Sequence, residues 1–234
     1  KEVTYTEFLP CEALRPFIYC YWELKSPPRN TPFFYRVVAD GCIDLFFDCN
    51  APQMSSLMGY CNTYVEFPIT GAFHYVGVRF LPSAFPLLFG QDAFEISAQE
   101  IPLREVVPAL ATFIAQQLET PLSLPATAQH LDDYFLRHLS QRPLQIDNRF
   151  FSALSQILQS KGTIHISQLD TGISTRQLRR LFDYYIGDNP KTFSNIVRFQ
   201  HILSAKAYHN HSFLDTYYDQ AHFIKSFKTF YGDT

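Results

Sequence analysis

Three arginines stand close together in the carboxyl-terminal part of the chain. Arg176, Arg179 and Arg180 are separated by three residues and by one, a spacing that places them on one side of an α-helix. A guanidinium group holds its N–H donors in a fixed plane, which suits phosphate oxygens and the O6 and N7 acceptors of guanine alike. The trio is typical either of a nucleic-acid-binding surface or of an ordinary solvated helix face.

A second basic segment repeats the pattern of the first. Residues 178–188 align with residues 223–233 at an offset of 45, and both copies close on Gly-Asp. In each, an apolar residue precedes a phenylalanine by four positions, with a basic residue between them. The second copy carries Lys225 and Lys228, with Gln220 and Ala221 at its start. A repeated unit favours two copies of one functional element over an incidental charged face.

The residues before the first copy predict how its helix begins. Gly172 suits a tight turn, Ser174 suits an N-cap, and Gln177 occupies the capping-box position. The helix that follows would turn the arginines outward and bury four residues, Leu178, Leu181, Phe182 and Tyr185. A turn and helix of this form are typical of the second helix of a helix-turn-helix unit, which enters the DNA major groove.

A connecting helix is predicted between the copies. Pro190 suits its first position, and the apolar stripe continues to about Ala207. At ~1.5 Å per residue this helix is roughly 25 Å long. With the flanking units added, two reading helices fall about one DNA turn, ~34 Å, apart.

Composition and charge agree with a globular chain that has an anionic partner. The 234 residues are 47% hydrophobic, 18% charged and 16% aromatic, with a net charge of −3. Residues 1–140 hold 8 Lys and Arg against 15 Asp and Glu, whereas residues 141–234 hold 11 against 7. The second part is therefore the basic one. No apolar run reaches the ~20 residues of a membrane helix, and the first residues have no export signal, so we expect a cytoplasmic protein without a membrane partner.

The first part of the chain predicts strands. Short runs rich in aromatic and β-branched residues are typical of a small barrel or sandwich, and Asp40-Gly41 predicts a hairpin between two of them. Helices are expected at 83–90, 103–118 and 126–140, and another from Asp147 to about Lys161. The predicted organisation is a β-rich domain at 1–140, a linker at 141–147 and a helical domain at 148–234.

The carboxyl-terminal segment resembles the DNA-binding domain of the AraC/XylS family of bacterial transcription regulators. The resemblance lies in residues 172–182, in Gly187 and Pro190, and in residues 217–228. Residues 35–45 and 77–82 resemble, more weakly, the amino-terminal domain of some members. The resemblance to this family implies an α+β chain. A cupin-like β-barrel with flanking helices would come first, followed by two helix-turn-helix units joined by a long helix. Its implied partners are duplex DNA, a small-molecule effector, RNA polymerase and a second copy in a homodimer.

The resemblance places six residues on the outward faces of the two reading helices: Arg176, Arg179, Arg180, Gln220, Ala221 and Lys225. We expect no cofactor, metal or catalytic group, and the chemistry of these side chains and of Lys228 predicts their contacts. Arg176 and Arg180 would contact base edges, Gln220 would contact adenine, and Lys225 and Lys228 would contact phosphates. The remaining members of the reading faces are Ser174, Arg179 and Ala221. Two intervals are shorter than the family pattern, near 169–172 and 213–217, so either the scaffold helices are clipped or residues are absent there.

Other groups of residues admit further interpretations. An aromatic effector pocket with one charged anchor is predicted from Trp22, Tyr35, Tyr64 and Arg79, although these residues would equally fill a core. Five cysteines confined to the first 61 residues match no zinc or redox spacing, which leaves buried thiols or a thiol sensor. The alternative to a regulator is thus a ligand-binding or thiol-sensing protein whose helical part binds protein. A metal oxygenase is disfavoured because His74 is the sole histidine before His130.

Overall fold

The chain is α+β, with a sheet-rich first part followed by helices, as expected. The computed structural model describes residues 3–28, 30–118, 122–204 and 220–232, and only the backbone of 220–223. The strands are β1 (Thr4–Phe8), β2 (Ile18–Ser26), β3 (Phe33–Val37), β4 (Ile43–Asp48), β5 (Ala51–Met58), β6 (Val65–Ile69), β7 (Phe73–Phe80) and β8 (Glu100–Pro102). The helices are α1 (Ala84–Phe89), α2 (Ala93–Ile96), α3 (Leu103–Val106), α4 (Pro108–Gln117), α5 (Leu124–Gln141), α6 (Asn148–Gln159), α7 (Thr175–Ile186), α8 (Pro190–Ser204) and α9 (Gln220–Tyr231).

The strands form two facing sheets. Six of them make an antiparallel sheet in the order β1-β2-β7-β4-β5-β8, and β3 pairs with β6 in a separate ribbon. Alternate side chains point to opposite faces, so Tyr21 and Val78 join the helices α1 to α5 in one core. Trp22 and Phe73, on the other face, pack against Phe33 of the ribbon. Within the described part of the chain, β1 and β8 lie at the ends of the order, and the ladder is not closed into a barrel.

The predicted hairpin at Asp40-Gly41 is wrong. β3 pairs with β6, whereas β4 pairs with β5 and β7, so the turn carries the chain from one sheet to the other. The local signal itself was sound, because Gly41 has a φ of 78° and the Asp40 carboxylate accepts the Cys42 N–H at 2.9 Å. A side chain on Gly41 would lie 3.0 Å from Phe193 of α8, so the turn is also a packing surface. A turn motif fixes a change of direction, whereas strand pairing depends on distant residues.

The helix expected at 103–118 is two helices. α3 ends at Val106, and α4 begins at Pro108, whose ring and missing N–H suit a first helical position and not an interior one. β1, β8 and α2 are additional short elements that the sequence patterns did not indicate.

The last helices enclose a second core. Phe150, Phe182, Phe193 and Phe199 are fully or almost fully buried there, and Ala39 and Tyr60 of the first part belong to the same cluster. Residues 142–147 join α5 to α6 without a helix or strand. The division into domains at 141–147 stays a prediction. Among the helices that the structure describes, none is long and apolar enough to cross a membrane.

Candidate nucleic-acid interface

α7 begins with the capping box that the sequence predicted. The Ser174 hydroxyl accepts the Gln177 N–H at 3.3 Å, and the Gln177 side-chain oxygen accepts the Ser174 N–H at 3.1 Å. Gly187 ends the helix in the left-handed region, with a φ of 99°. Both ends are thus fixed by local signals, which define where the exposed face starts and stops.

The arginines of α7 are on its outer face. Arg176, Arg179 and Arg180 are exposed, and Ser174 is exposed at the helix start. Leu178, Phe182 and Tyr185 are buried and Leu181 is half-buried, as predicted from the helical spacing. The helix therefore presents three guanidinium groups to solvent from a firmly packed support.

The interval between α6 and Gly172, where the sequence predicted a scaffold helix, holds no α-helix. In its place the chain forms a single 3-10 turn, Ile166–Gln168, which His165 caps through the Ser167 N–H. Leu169 and Ile173 still pack against the second core. The support of α7 therefore comes mainly from its own buried stripe. The second short interval, near 213–217, lies outside the described residues, as does the end of the connecting helix after Ser204.

α9 carries the basic residues of the second copy. Lys225 and Lys228 are exposed one turn apart, and Phe230 is buried against Phe199 of α8 at a ring-centroid distance of 5.2 Å. Gln220 and Ala221 begin the helix, and their side chains lie outside the description. The two lysines form an outward cationic pair on a helix held from behind by aromatic packing.

A cleft beside α7 adds residues that sequence reasoning missed. Arg149 from the start of α6 and Tyr184 line a cavity of about 310 Å³ together with Gln177 and Arg180. Asp147 caps α6 and forms an ion pair with Arg149 at 2.7 Å, which holds the guanidinium near the cleft. No local motif distinguishes Arg149 from other surface arginines, because its position depends on how α6 packs against α7.

The carboxyl end of α7 is attached to the first part of the chain. The Ser97 hydroxyl oxygen lies 2.7 Å from the carbonyl oxygen of Ala93 and 3.1 Å from that of Gly187. A Cβ on Gly187 would lie 2.2 Å from that hydroxyl. Asn62 donates to Asp188 at 2.9 Å beside the same contact. A side chain at position 187 would therefore strain this junction.

The carboxyl end of α9 is attached to the first part as well. Ala39 donates its N–H to the carbonyl of Phe230 at 3.1 Å, and its own carbonyl accepts Gln200 of α8 at 2.6 Å. Tyr64 donates its N–H to the carbonyl of Thr229 at 3.3 Å. Both basic helices are therefore held at the same end by the sheet-rich part.

The ribbon β3–β6 lies between α9 and a cavity. The Arg36 guanidinium on its outer side pairs with Glu66 at 2.7 Å and lies 5.5 and 5.7 Å from the ring centres of Tyr64 and Tyr231. Tyr35 and Phe67 lie opposite each other in the ribbon and line the cavity on its inner side. The ribbon therefore contacts α9 with its outer side and lines the cavity with its inner side.

The cavity has about 350 Å³ and lies between the two sheets. Gly77 makes room for the Trp22 indole in the cavity wall, because a Cβ at position 77 would lie 2.3 Å from that ring. Trp22 and Phe46 flank Gly77 in the ladder, and Tyr75 lies two residues before it on the same strand face. Of the four predicted effector residues, Trp22, Tyr35 and Arg79 line the cavity. Tyr64 does not, and it lies against Gly232 at the end of α9.

Arg79 is held by carboxylates on the cavity floor. Its Nε lies 3.1 Å from Asp44 and 3.5 Å from Asp40, and the Trp22 indole N–H donates to Asp44 at 3.0 Å. Although burial acts to lower it, the pKa of Arg79 is raised by the two carboxylates. Burial raises the pKa of Asp40 to about 6, with Arg79 opposing and Asp44 reinforcing the shift. Arg79 is thus an already paired cation.

Four of the thiols are in the wrong environment for a sensor. Burial raises the pKa of Cys20 and Cys49 to about 12 and that of Cys61 to about 11, and it raises the pKa of Cys42 well above its ordinary value. A reactive thiol needs the opposite shift. The raised pKa values therefore disfavour the thiol-sensing alternative at these positions.

Comparisons with known proteins support the sheet-rich part as a recurring domain. A family model described as a domain of unknown function (DUF6597) matches residues 6–102, less than half of the chain. The crystal structure of ToxT from Vibrio cholerae O395 aligns with a TM-score of 0.39 and 10% identity, over 98% of this chain and 93% of that chain. A search of curated proteins found no match. At that score and identity no function is transferred, so the proposal below is argued from side chains.

Proposed function

We propose that the chain is a sequence-specific DNA-binding transcription regulator of the AraC/XylS type, controlled by a small molecule bound in its amino-terminal part. The observation that carries the proposal is the exposed arginine face of α7, fixed by its capping box and by the buried stripe of Leu178, Phe182 and Tyr185. Arg176 and Arg180 are the proposed base contacts, and Arg179 and Arg149 the proposed phosphate contacts nearby. Duplex DNA is the partner that this chemistry recognises.

The second basic helix extends the proposed interface. Lys225 and Lys228 are proposed phosphate contacts, and Gln220 and Ala221 the residues nearest the groove, because a reading helix enters DNA with its amino-terminal residues. The described part of α8 has 15 residues and spans roughly 22 Å. One chain would then contact successive turns of the duplex.

The attachments of both helices supply a route for control. Asp40 pairs with Arg79 at the cavity, and the adjacent Ala39 is hydrogen-bonded to both α8 and α9. A ligand that moves the ribbon or the Asp40 turn therefore moves the end of α9. The ligand changes DNA affinity only by as much as it binds one arrangement of α9 and the ribbon more tightly than the other.

The test begins with selection of bound sequences from random duplexes by the full chain. Fluorescence anisotropy then measures affinity for the selected duplex and a scrambled one at about 50 and 200 mM salt, where phosphate contacts should give a loss on the order of 100-fold. Arg180→Ala should cost about 1–3 kcal/mol at one base position. Lys228→Ala should weaken all sequences alike and reduce the salt slope by about one.

Arg104→Ala is the matched control, because Arg104 is exposed on α3 in the sheet-rich part. It should leave the affinity unchanged. Equal losses for Arg180→Ala and Arg104→Ala, or affinity without any preferred sequence, would remove the basis for a sequence-reading α7. Absence of DNA binding together with capture of a protein partner would favour the interaction-surface alternative.

A further inference from the structure

We infer that the cavity between the two sheets binds a small organic cation, an amine or quaternary ammonium compound with an apolar body. This inference rests on the proposed function for its regulatory meaning and on the cavity alone for its chemistry. Five aromatic rings line the cavity, those of Trp22, Tyr35, Phe46, Phe67 and Tyr75. The faces of such rings attract cations and bind apolar groups equally well.

The rings are arranged as a continuous wall. The centroids of Trp22 and Phe46 are 6.4 Å apart, and those of Phe46 and Tyr75 are 6.2 Å apart at an interplanar angle of 80°. Tyr35 and Phe67, directly paired in the ribbon, form the opposite wall. A volume of about 350 Å³ is near the lower end of the range of about 300–1,000 Å³ for ligand sites, which suits a compact ligand.

The charges around the cavity are predominantly negative. One row of the large sheet brings Arg79, Asp44, Met58 and Glu100 side by side, and all four line the cavity. Arg79 is already shared between Asp44 and Asp40, and Glu100 is a further carboxylate in the cavity lining without an ion pair to Arg79 among the described residues. An anionic ligand would have to displace a carboxylate from Arg79. A cationic ligand gains attraction without breaking that pair.

Glu100 is the most accessible of these acids. It is exposed on the edge strand β8, at the rim of the cavity, and the described ion pairs do not include it. Its carboxylate therefore meets an incoming ammonium group before the aromatic walls do. Asp44, by contrast, is buried and held by Trp22 and Arg79, so it contributes a fixed negative potential.

The test uses Trp22 as a reporter, because it is the sole tryptophan of the chain and lies in the cavity wall. The full chain is titrated with three probes of one shape that differ in charge: 2-phenylethylammonium, 2-phenylethanol and 3-phenylpropionate. The cation should change the tryptophan fluorescence at a concentration about tenfold lower than the other two, since a desolvated cation–π contact is worth about that factor. Equal or tighter binding of the alcohol or the carboxylate overturns the inference, as does no binding of the cation up to millimolar concentration.

Glu100→Gln removes a rim charge from an exposed position and should weaken the cation severalfold while leaving the alcohol unchanged. Glu12→Gln is the matched control, because Glu12 is exposed beside residues that pack on the opposite face of the sheet, and it should change neither. An equal effect of both substitutions contradicts a role for the rim carboxylate in binding the cation.

DNA anisotropy with and without 2-phenylethylammonium separates this inference from the proposed function. Cation binding without any change in DNA affinity sustains the ligand class and refutes its regulatory role. Sequence-specific DNA binding by a chain that shows no preference for the cation sustains the regulator and refutes the ligand class.

Discussion

Replacing Gly187 with alanine should loosen the attachment of α7 to the sheet-rich part. Gly187 has a φ of 99°, and a Cβ there would lie 2.2 Å from the Ser97 hydroxyl and 3.0 Å from the Ala93 carbonyl oxygen. The left-handed backbone costs about 1–2 kcal/mol for alanine, and relief of the overlap costs about 1–3 kcal/mol more. The free energy of unfolding should therefore fall by about 2–5 kcal/mol.

Gly172→Ala is the matched control for backbone strain. Gly172 has a φ of 66°, but nothing lies within 4 Å of a Cβ at that position. This substitution should cost about 1–2 kcal/mol, from the backbone alone. Urea denaturation of the two variants under the same conditions isolates the overlap at the junction as their difference.

A second background identifies the atom responsible. Ser97→Ala removes the hydroxyl that the new methyl group would meet, so Gly187→Ala should cost about 1 kcal/mol less in that background than in the native chain. Equal destabilisation by Gly187→Ala and Gly172→Ala, with no relief from Ser97→Ala, would show that α7 does not dock on α2 as described.

Three further predictions concern titration, helix capping and thiol reactivity. The folded pKa of Asp40, about 6, lies above its ordinary value of 3.8, so this group lowers the free energy of unfolding as the pH rises from about 4 to about 6. Denaturation at several pH values gives the slope of the free energy of unfolding against pH, and Asp40→Asn should remove this contribution to it. An unchanged slope would contradict the pairing of Asp40 with Arg79. Asp147→Ala removes the N-cap of α6 and should cost about 1 kcal/mol in urea denaturation, whereas no loss would mean that water replaces the cap. Iodoacetamide at pH about 8, followed by mass spectrometry, should modify the buried thiols of Cys20 and Cys49 about 100-fold more slowly than a free cysteine, and rapid labelling would restore the sensor alternative.

The sequence predicts α7 well because every signal for it is local. The cap at Ser174, the buried stripe ending at Tyr185 and the stop at Gly187 all lie within one short segment. The α+β order is predictable for the same reason, since strand and helix periodicities are local properties. The split of the predicted helix at Pro108 was also readable, because proline rarely occupies a helix interior.

The remaining features depend on residues that are distant in the sequence. Asp40-Gly41 marks a turn, but the choice of partner strand lies with β6, β5 and β7. Tyr64 shares the aromatic character of Trp22 and Tyr35, yet the ribbon turns it towards α9 and not into the cavity. Arg149 joins the basic cleft only through the packing of α6. Composition cannot distinguish such placements.

The contacts at Gly187 and Ala39 also limit how the two parts of this chain could be exchanged by recombination. A recombination point at 142–147 looks convenient, because no helix or strand is cut there. Yet an unrelated amino-terminal part joined at that point would not bring the Ser97 hydroxyl to α7, the Ala39 amide to α9 or the Gly41 surface to Phe193. The residues on the two sides of this interface are therefore matched to each other. Replacing one part of the chain by recombination requires a compatible change on the other side of the interface at the same time.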